Sequence, residues 1–516
     1  MRGIASEPSG LAGWGQGRGR GLGSWLLGGL VRQRRRVARW LILAAAIAFL
    51  ANWGRVILRP VGDFALHWRF GDRFLRRAFL YEGGMHTPYP PTWAMASSVL
   101  TVGPFPVVRA VLYPFGLVPL VVLLGILDRM TRGRWPLDRE RSVWAAGLGV
   151  LLASRFVIRE LPECGANLMI VGLAWAGVYL WWRGREVVGA AALGLSMALK
   201  CTPALFLGYL AWKRQWRMLG LSGVAALGFF VLPAVWMGWG SYADHVRYWM
   251  GHAAKGLTEA SPIWGVLNDE KLQNVSLRPA LGRLLVEAPV GHASYLDHPL
   301  RVRALGLDPV WAGWVVKVAL VLLVAGVALG MGRRVDRSDG AWVAYEAAAV
   351  SLLMLLVSPI TWRQHCVAAV PAGYLIAREW LAGRGPDRWP MRLLGVYVVL
   401  VLVLDRGLIG KPLTDVLDSY GATTWGLLAL LAVVMGQRAR LVGCGEAKEG
   451  VCRVDGAHAT ALGNARHPGR VAGVLGVALR RERGHEPGRP GAGGAGSGWG
   501  RWGTWLGCCK SLFPGS

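Results

Sequence analysis

The chain has 516 residues, of which 53% are hydrophobic and only 17% are charged, and its formal net charge is +28. Soluble domains carry charge on about a quarter of their residues, so this composition excludes an ordinary string of soluble domains. The arginines lie in short clusters between long apolar blocks, which is typical of the cytoplasmic loops of membrane proteins and argues against a nucleic-acid partner.

The first apolar block, at about residues 40–58, follows directly on the basic run Arg32–Arg39. The run has no small-residue cleavage site after it, so we predict an uncleaved first span rather than a signal peptide. Because the positive charge precedes the block, the span should start in the cytoplasm. Residues 1–36 are basic and rich in glycine, and we predict a disordered cytoplasmic tail there.

The remaining apolar blocks are close to the ~20 residues that a bilayer-spanning helix needs. They lie at about 105–127, 143–158, 166–182, 217–238, 310–330, 342–357, 365–381, 392–405 and 422–436. We predict an all-α, multi-pass protein of the plasma membrane, with roughly 10–12 transmembrane helices over residues 37–436. Residues 437–516 are rich in Gly, Arg and Pro and are predicted to form a second disordered cytoplasmic tail.

One apolar stretch, Glu186–Trp212, lies between two basic clusters that both favour the cytoplasm. A single straight crossing would place one of these clusters on the wrong side. We therefore predict a short helical hairpin whose turn lies near Lys200-Cys201-Thr202-Pro203. A proline and a lysine at membrane depth are tolerated where the broken backbone faces protein or water.

With this orientation, the unusual polar side chains collect on the outer face. They come from loops that are far apart in the chain: Asp63, Tyr89, Lys200, Asn274, Arg278, Trp362 and His365. One carboxylate, several cations, a histidine and aromatic rings on one membrane face indicate a site for an anionic, lipid-linked substrate.

Each of these residues also has a structural interpretation. Asp63 is compatible with a solvated helix boundary, and Tyr89-Pro90-Pro91 with a rigid extended turn. An ionisable residue in an apolar stretch is a functional candidate by default, but Lys200 is also long enough to extend to the membrane interface. His365 suits packing as well as function, and Glu346, inside an apolar block, is a candidate for a structural ion pair.

Five elements resemble, in order, glycosyltransferase family 87, the polyprenol-phosphate-mannose-dependent mannosyltransferases of GT-C architecture. The elements are Asp63-Phe64, Tyr81 with Tyr89-Pro90-Pro91, Gly189 with Ala198–Pro203 and Lys213–Arg217, Asn274–Arg278, and Ser358–Trp362 with His365. The resemblance covers about residues 40–436. Val275 and Gln364 depart from the residues that are usual in the family.

The resemblance implies a GT-C-like helical bundle that transfers a hexose, expected to be mannose, from a polyprenyl-phosphate donor. The acceptor would be a glycolipid or glycan hydroxyl on the outer face, and the anomeric configuration would be inverted. Asp63 would be the base, because a hydroxyl is a poor nucleophile until its proton is accepted. Lys200, Arg278 or His365 would stabilise the departing phosphate. Neither a metal nor another cofactor is expected, and membrane lipids are the other expected contacts.

Two other functions stay open from the residues. A transporter or flippase would place ionisable groups along a path to both membrane faces, and Lys200 fits that pattern. A lipid-linked oligosaccharide ligase would favour arginines and histidines in a large outer loop over an aspartate base. The clustering of the polar residues on one face favours the glycosyltransferase.

Overall fold

The computed structural model describes residues 40, 43–58, 62–82, 89–266, 268–289, 292, 305–333, 335–385 and 387–441. The predicted tail 1–36 and residues 442–516 of the predicted second tail lie outside the described residues. The predicted boundary at residue 436 is five residues early, because the last helix continues to Leu441 and its Arg438 side chain is hydrogen-bonded in the protein interior.

The described chain is helical apart from one two-stranded hairpin. In chain order its α-helices are α1 (Leu43–Leu58), α2 (Phe64–Leu75), α3 (Pro91–Ser97), α4 (Phe105–Phe115), α5 (Val118–Thr131), α6 (Arg139–Leu152), α7 (Ser154–Glu160), α8 (Ala166–Trp182), α9 (Glu186–Leu199), α10 (Leu205–Trp212), α11 (Trp216–Val231), α12 (Pro233–Met237), α13 (Trp239–Thr258), α14 (Leu277–Leu285), α15 (Pro309–Met331), α16 (Gly340–Val357), α17 (Val370–Leu381), α18 (Arg388–Tyr397), α19 (Arg406–Ile409), α20 (Lys411–Ser419) and α21 (Ala422–Leu441). The antiparallel strands are β1 (Trp264–Gly265) and β2 (Asn268–Asp269).

Shorter helical turns connect these elements. They are 3₁₀ turns at Ser98–Thr101, Leu161–Glu163, Thr202–Ala204 and Arg363–Ala369, and a π-helical stretch at Val398–Val403. The two long segments that the sequence predicts to be outer loops contain secondary structure. The segment after α1 contains α2 and α3, and the segment after α12 contains α13, the two strands and α14.

Five helices of the described part are long and apolar enough to cross a membrane: Phe105–Thr131, Trp216–Met237, Pro309–Met331, Gly340–Val357 and Ala422–Leu441. The pair α6 and α7, which is bent by 76°, would make a sixth. The all-α, multi-pass class is confirmed, and within the described residues fewer helices than the predicted 10–12 pass this test of length and hydropathy. Several predicted spans are short or broken, since α1 and α8 have fewer than 18 residues and α17 follows a 3₁₀ turn.

The loops predicted to be cytoplasmic meet at one end of the bundle, here called the basic end. Arg134 pairs with Asp339 at 2.7 Å, and Glu186 lies 3.0 Å from Arg337 and 3.5 Å from Arg217. These contacts join four segments that the charge pattern had assigned to one membrane face. The loops that the charge pattern groups on one face therefore lie together at one end of the bundle.

The helical hairpin that the sequence predicts for residues 186–212 is also formed. Helix α9 ends at Leu199, where Lys200 adopts an extended conformation with φ −156° and ψ 125°. Pro203 follows, and it cannot continue a helix because it has no N–H and restricts the residue before it. The chain then returns through α10, so that Arg217 after the hairpin reaches Glu186 at its start. Lys200 therefore lies at the end of the bundle opposite the basic end.

A buried carboxylate holds the basic end together. Glu346 is fully buried in α16, and its oxygens accept from Lys213 Nζ at 2.6 Å and Arg438 Nη2 at 2.9 Å. Tyr209 Oη and Trp342 Nε1 add hydrogen bonds of 2.8 and 3.0 Å. The predicted structural pairing of Glu346 is thus confirmed, and the pairing satisfies a charge that would be costly alone in the interior.

Candidate active site

The opposite end of the bundle, here called the site end, brings Asp63 onto a polar cluster made by three other segments. Asp63 is the N-cap of α2, but its side chain makes no capping hydrogen bond to the helix. An aspartate at this position usually accepts from the first free N–H groups of its own helix. Instead, Asp63 Oδ2 accepts from Gln364 Nε2 at 3.2 Å, and Oδ1 has no hydrogen bond within the described residues.

The backbone of Asp63 is held by a second carboxylate. The Asp63 N–H donates to both oxygens of Glu163, at 2.9 and 2.8 Å. The preceding Gly62 has φ +83°, and a Cβ there would lie 2.3 Å from Glu163 Oε1, so only glycine fits. Glu163 lies in the 3₁₀ turn after α7, in the loop between two predicted spans. It therefore positions Asp63 from an element far along the chain.

Lys200 is held by a chain of hydrogen bonds that begins at another carboxylate. Lys200 Nζ donates to Asn167 Oδ1 at 2.9 Å, and Asn167 Nδ2 donates to Glu160 Oε2 at 2.8 Å. Glu160 Oε1 also accepts the backbone N–H groups of Asn167 and Leu168. Both Glu160 and Lys200 are buried. The amide of Asn167 is thereby fixed with its oxygen toward the ammonium.

Aromatic side chains form the wall beside the ammonium. Lys200 Nζ lies 5.5 Å from the centre of the Tyr89 ring, within the range of a cation–π contact. Tyr89 stacks on Trp93 with ring centres 5.0 Å apart, and His67 meets the Tyr89 ring edge-on at 5.3 Å. Trp93 Nε1 donates to His67 Nδ1 at 3.0 Å. The rigid start of α3 at Pro90-Pro91 thus presents Tyr89 to the lysine.

His365 lines the same small cavity as Lys200 and Asn167. Its Nδ1 accepts the backbone N–H of Trp362 at 3.1 Å, which places the ring proton on Nε2. Burial, and next the charge of Lys200, hold the pKa of His365 well below its ordinary value of 6.5. His365 is therefore a neutral hydrogen-bond donor at neutral pH, and not the cation that the sequence allowed.

Asn274 and Arg278 lie in a neighbouring cluster that supports this cavity. Arg278 Nη1 pairs with Glu270 at 3.0 Å and donates to the Trp264 carbonyl at 2.6 Å, while its Nη2 donates to the Ser261 carbonyl at 2.9 Å. Asn274 accepts the N–H of Thr361, which lines the cavity, at 2.9 Å. Both terminal nitrogens of Arg278 are thus engaged within the segment between α12 and α15, and Asn274 has a supporting position.

The structure brings four of the predicted site residues into one cluster: Asp63, Tyr89, Lys200 and His365. Two others, Asn274 and Arg278, lie in the neighbouring cluster that supports the cavity. Trp362 is half-buried, and its backbone bonds to His365. Sequence reasoning missed the roles of Glu160, Glu163, Asn167 and Gln364 in this site. The sequence feature that could have indicated the two glutamates is Glu160-Leu161-Pro162-Glu163, because it places two acidic residues in a short loop between two predicted spans. Among the described residues, no group of three or more His, Cys, Asp or Glu residues could hold a metal ion.

Comparison with known proteins adds to this geometry. Residues 87–359, more than half of the chain, match glycosyltransferase family 87. The chain belongs to this family. The family predicted from the sequence elements is thus confirmed, and with it the class of enzyme, a membrane glycosyltransferase; a transporter or a ligase is not favoured. Asp63 and His365 lie outside the matched range, so their place in the site rests on the structure.

The relatives are mycobacterial enzymes of moderate similarity. A polyprenol-phosphate-mannose-dependent alpha-(1-2)-phosphatidylinositol mannoside mannosyltransferase of Mycolicibacterium smegmatis is 28% identical, and the match covers 60% of this chain and 66% of that protein. The protein with the same name from Mycobacterium tuberculosis is 27% identical, with 65% and 75% covered. A phosphatidylinositol pentamannoside mannosyltransferase of M. smegmatis is 27% identical, with 55% and 59% covered. No solved structure matches the chain.

Protonation of Asp63 should set the acid limit of the reaction. Burial raises the pKa of Asp63 above its ordinary value of 3.8, whereas the Gln364 hydrogen bond and then the Lys200 charge lower it. A base with a raised pKa is protonated at higher pH, so kcat/KM should fall at a pH above 3.8 as the solution is acidified. Gln364→Leu should move this acid limb upward by roughly one pH unit, the equivalent of one hydrogen bond to a charged group.

The measurement is kcat/KM against pH for the wild type, for Gln364→Leu and for Gln215→Leu. Gln215 is a matched control because it lies at the basic end, where its side chain bonds to the Lys213 carbonyl. An acid limb that stays in place in Gln364→Leu, or that moves to lower pH, contradicts the assignment of this limb to Asp63.

Proposed function

We propose that this chain transfers mannose from polyprenyl-phosphate mannose to a hydroxyl of a phosphatidylinositol-mannoside-type glycolipid. The observation that carries the proposal is the joining of a carboxylate and an ammonium in one polar cluster, Asp63 with Lys200, in a chain of glycosyltransferase family 87. The relatives' names supply the donor and acceptor classes. A displacement at a sugar carbon needs a base for the attacking hydroxyl and a positive charge for the leaving phosphate, and Asp63 and Lys200 are suited to these two roles.

In the proposed step, the acceptor oxygen attacks C1 of mannose while the bond from C1 to the phosphate oxygen breaks. Asp63 takes the proton of the attacking hydroxyl on its unbonded Oδ1. The polyprenyl phosphate leaves with an added negative charge, which the Lys200 ammonium stabilises. Attack from the side opposite the leaving group turns a β-linked donor into an α-mannoside. Of the three groups considered for the phosphate, Lys200 suits the role best, because Arg278 is engaged elsewhere and His365 is neutral. Burial lowers the pKa of Lys200 to about 7, whereas the charges of Glu160 and Asp63 raise it, and an anionic phosphate beside it would further favour the ammonium form.

We further propose that the site end faces the outside of the plasma membrane, with the termini in the cytoplasm. Arginine and lysine are enriched in the short loops of the basic end, and such loops remain in the cytoplasm. A polyprenyl-linked donor would then reach Lys200 from the outer leaflet, and the site would be open to water on that side.

Asp63→Asn should abolish transfer while the protein remains folded and inserted. The substitution keeps the size of the side chain but removes the base, which should lower the rate by about 10²–10⁴-fold. The assay uses purified chain, polyprenyl-phosphate mannose and a phosphatidylinositol mannoside, with the product mass and its anomeric configuration as readouts. Asp72→Asn is the matched control, since Asp72 lies on the same helix and pairs with the exposed Arg76. Near-normal turnover in folded Asp63→Asn would remove Asp63 from the mechanism.

The orientation is tested by labelling in intact cells that carry a cysteine-free version of the chain. Gly133→Cys at the basic end and Gly251→Cys in α13 are suitable, because both glycines have open space around the Cβ position. A membrane-impermeant maleimide should label Gly251→Cys from outside and should label Gly133→Cys only after the cells are opened. The reverse pattern would invert the proposed topology.

A further inference from the structure

A second cavity lies at the basic end, far along the helices from Asp63. It has a volume of about 520 Å³, within the range of sites that bind small molecules, and it lies where α5 ends and α6 begins. Its lining divides into a polar part with Asp128, Arg132 and Arg139, and an apolar part with Leu124, Val143 and Ala146. We refer to it as the interfacial crevice.

Helix geometry explains why the lining is divided in this way. Leu124 and Asp128 are four residues apart on α5, and Arg139, Val143 and Ala146 follow one another at intervals of four and three on α6. Residues at these spacings lie on one face of a helix. The polar residues lie near the helix ends, at the level of the basic loops, and the apolar residues lie one turn or more toward the middle of the bundle.

The polar part carries an excess of positive charge. Asp128 accepts from the fully buried Arg378 at 2.5 Å and also pairs with Arg132. One of these two arginines balances the carboxylate, so one positive charge remains. Arg139 is exposed and makes no ion pair within the described residues, which adds a second. The Arg132 side chain is 68% exposed, so its guanidinium is open to a ligand.

The apolar part continues onto surface that faces away from the protein. Val143 is 65% exposed, and Val121, one turn before Leu124 on α5, is 67% exposed. In a membrane protein such side chains contact hydrocarbon chains. The crevice therefore combines a cationic mouth at the level of the lipid headgroups with an apolar wall directly beneath it. A phosphodiester attached to acyl chains matches both parts, whereas a free phosphate matches the mouth alone.

We propose that the interfacial crevice binds an anionic phospholipid from the membrane leaflet at the basic end. Its phosphate would be held by Arg132 and Arg139, and an acyl chain would lie against Leu124, Val143 and Ala146. Basic pockets between helices on the cytoplasmic side are suited to anionic headgroups, since that leaflet carries negative surface charge. The proposal does not depend on the proposed reaction, because none of these residues belongs to the site end.

The test uses the full-length protein reconstituted in phosphatidylcholine vesicles that contain a trace of spin-labelled lipid. The fraction of label immobilised by the protein gives the relative association of phosphatidylglycerol and phosphatidylcholine. The wild type should prefer phosphatidylglycerol, and the double variant Arg132→Gln with Arg139→Gln should lose about fivefold or more of that preference. Arg141→Gln is the matched control, because Arg141 pairs with Asp138 on the same turn and does not line the crevice.

A second variant separates a lipid from a free anion. Val143→Trp keeps both arginines and fills the apolar part, so it should also reduce the preference, and it remains informative if the double variant does not fold. Inorganic phosphate should not displace the immobilised lipid. An unchanged preference in the double variant overturns the proposal. So does a preference that survives Val143→Trp but is abolished by phosphate, which would indicate a simple anion site.

Discussion

The active-site arrangement depends on the hydrogen bond by which Asn167 holds the ammonium of Lys200 at 2.9 Å. A lysine buried within a helical membrane protein is costly unless a polar partner receives it. Glu160 orients this partner, because its carboxyl group binds the Asn167 amide. Burial raises the pKa of Glu160 to about 7, and in its charged form Glu160 favours the ammonium form of Lys200. The ammonium in turn acts on groups from two other segments. After burial, its charge is the next cause that lowers the pKa of His67 and His365, and it offsets part of the rise that burial causes in the pKa of Asp63.

This arrangement explains why the chain is broken where it is. A continuous helix through residues 186–212 would carry Lys200 past the site, whereas the break at Pro203 leaves it at the turn of a hairpin. Helix α7 is similarly short and bent by 76° from α6, and the bend brings Glu160 and Glu163 back into the bundle. The interruptions that shorten the predicted spans are thus the places where polar side chains are positioned.

Much of this could be predicted from the sequence, for physical reasons that can be named. The positions of the basic clusters predicted which loops lie at the same end of the bundle, and the basic segments do meet there. The two basic clusters on either side of Glu186–Trp212 predicted the helical hairpin with Lys200 at its turn. Asp63, Tyr89 and His365 were found because the charge pattern places their segments on one membrane face and because they lie in elements that resemble glycosyltransferase family 87. The partners were missed, because the roles of Glu163, Asn167 and Gln364 arise from contacts between segments 33 to 301 residues apart. The periodicity and the composition of a sequence do not predict which side chains from distant segments will contact each other.

The same limit accounts for Arg278, which the sequence assigned to substrate. The sequence places this guanidinium in a loop, but in the structure both of its terminal nitrogens are engaged by Glu270 and by the carbonyls of Ser261 and Trp264. The family resemblance identified the position of Arg278, but only the fold of the segment between α12 and α15 shows whether the side chain is available to a substrate or is used in structural contacts. Lys200 differs because its partner Asn167 leaves the other donors of the ammonium directed toward the cavity that both residues line.

The most direct measurement of the central claim is donor affinity and transfer rate in Lys200→Met. This change keeps the length of the side chain and removes only its charge, so a lysine that merely reached the interface would tolerate it. The account predicts normal insertion, weaker binding of polyprenyl-phosphate mannose, and transfer at least ~10-fold slower, a loss of about 1.4 kcal/mol of transition-state stabilisation. Lys200→Arg should recover part of the rate, and Lys411→Met, at an exposed pair with Asp415, should change neither quantity. Unchanged donor binding and rate in Lys200→Met would contradict the account.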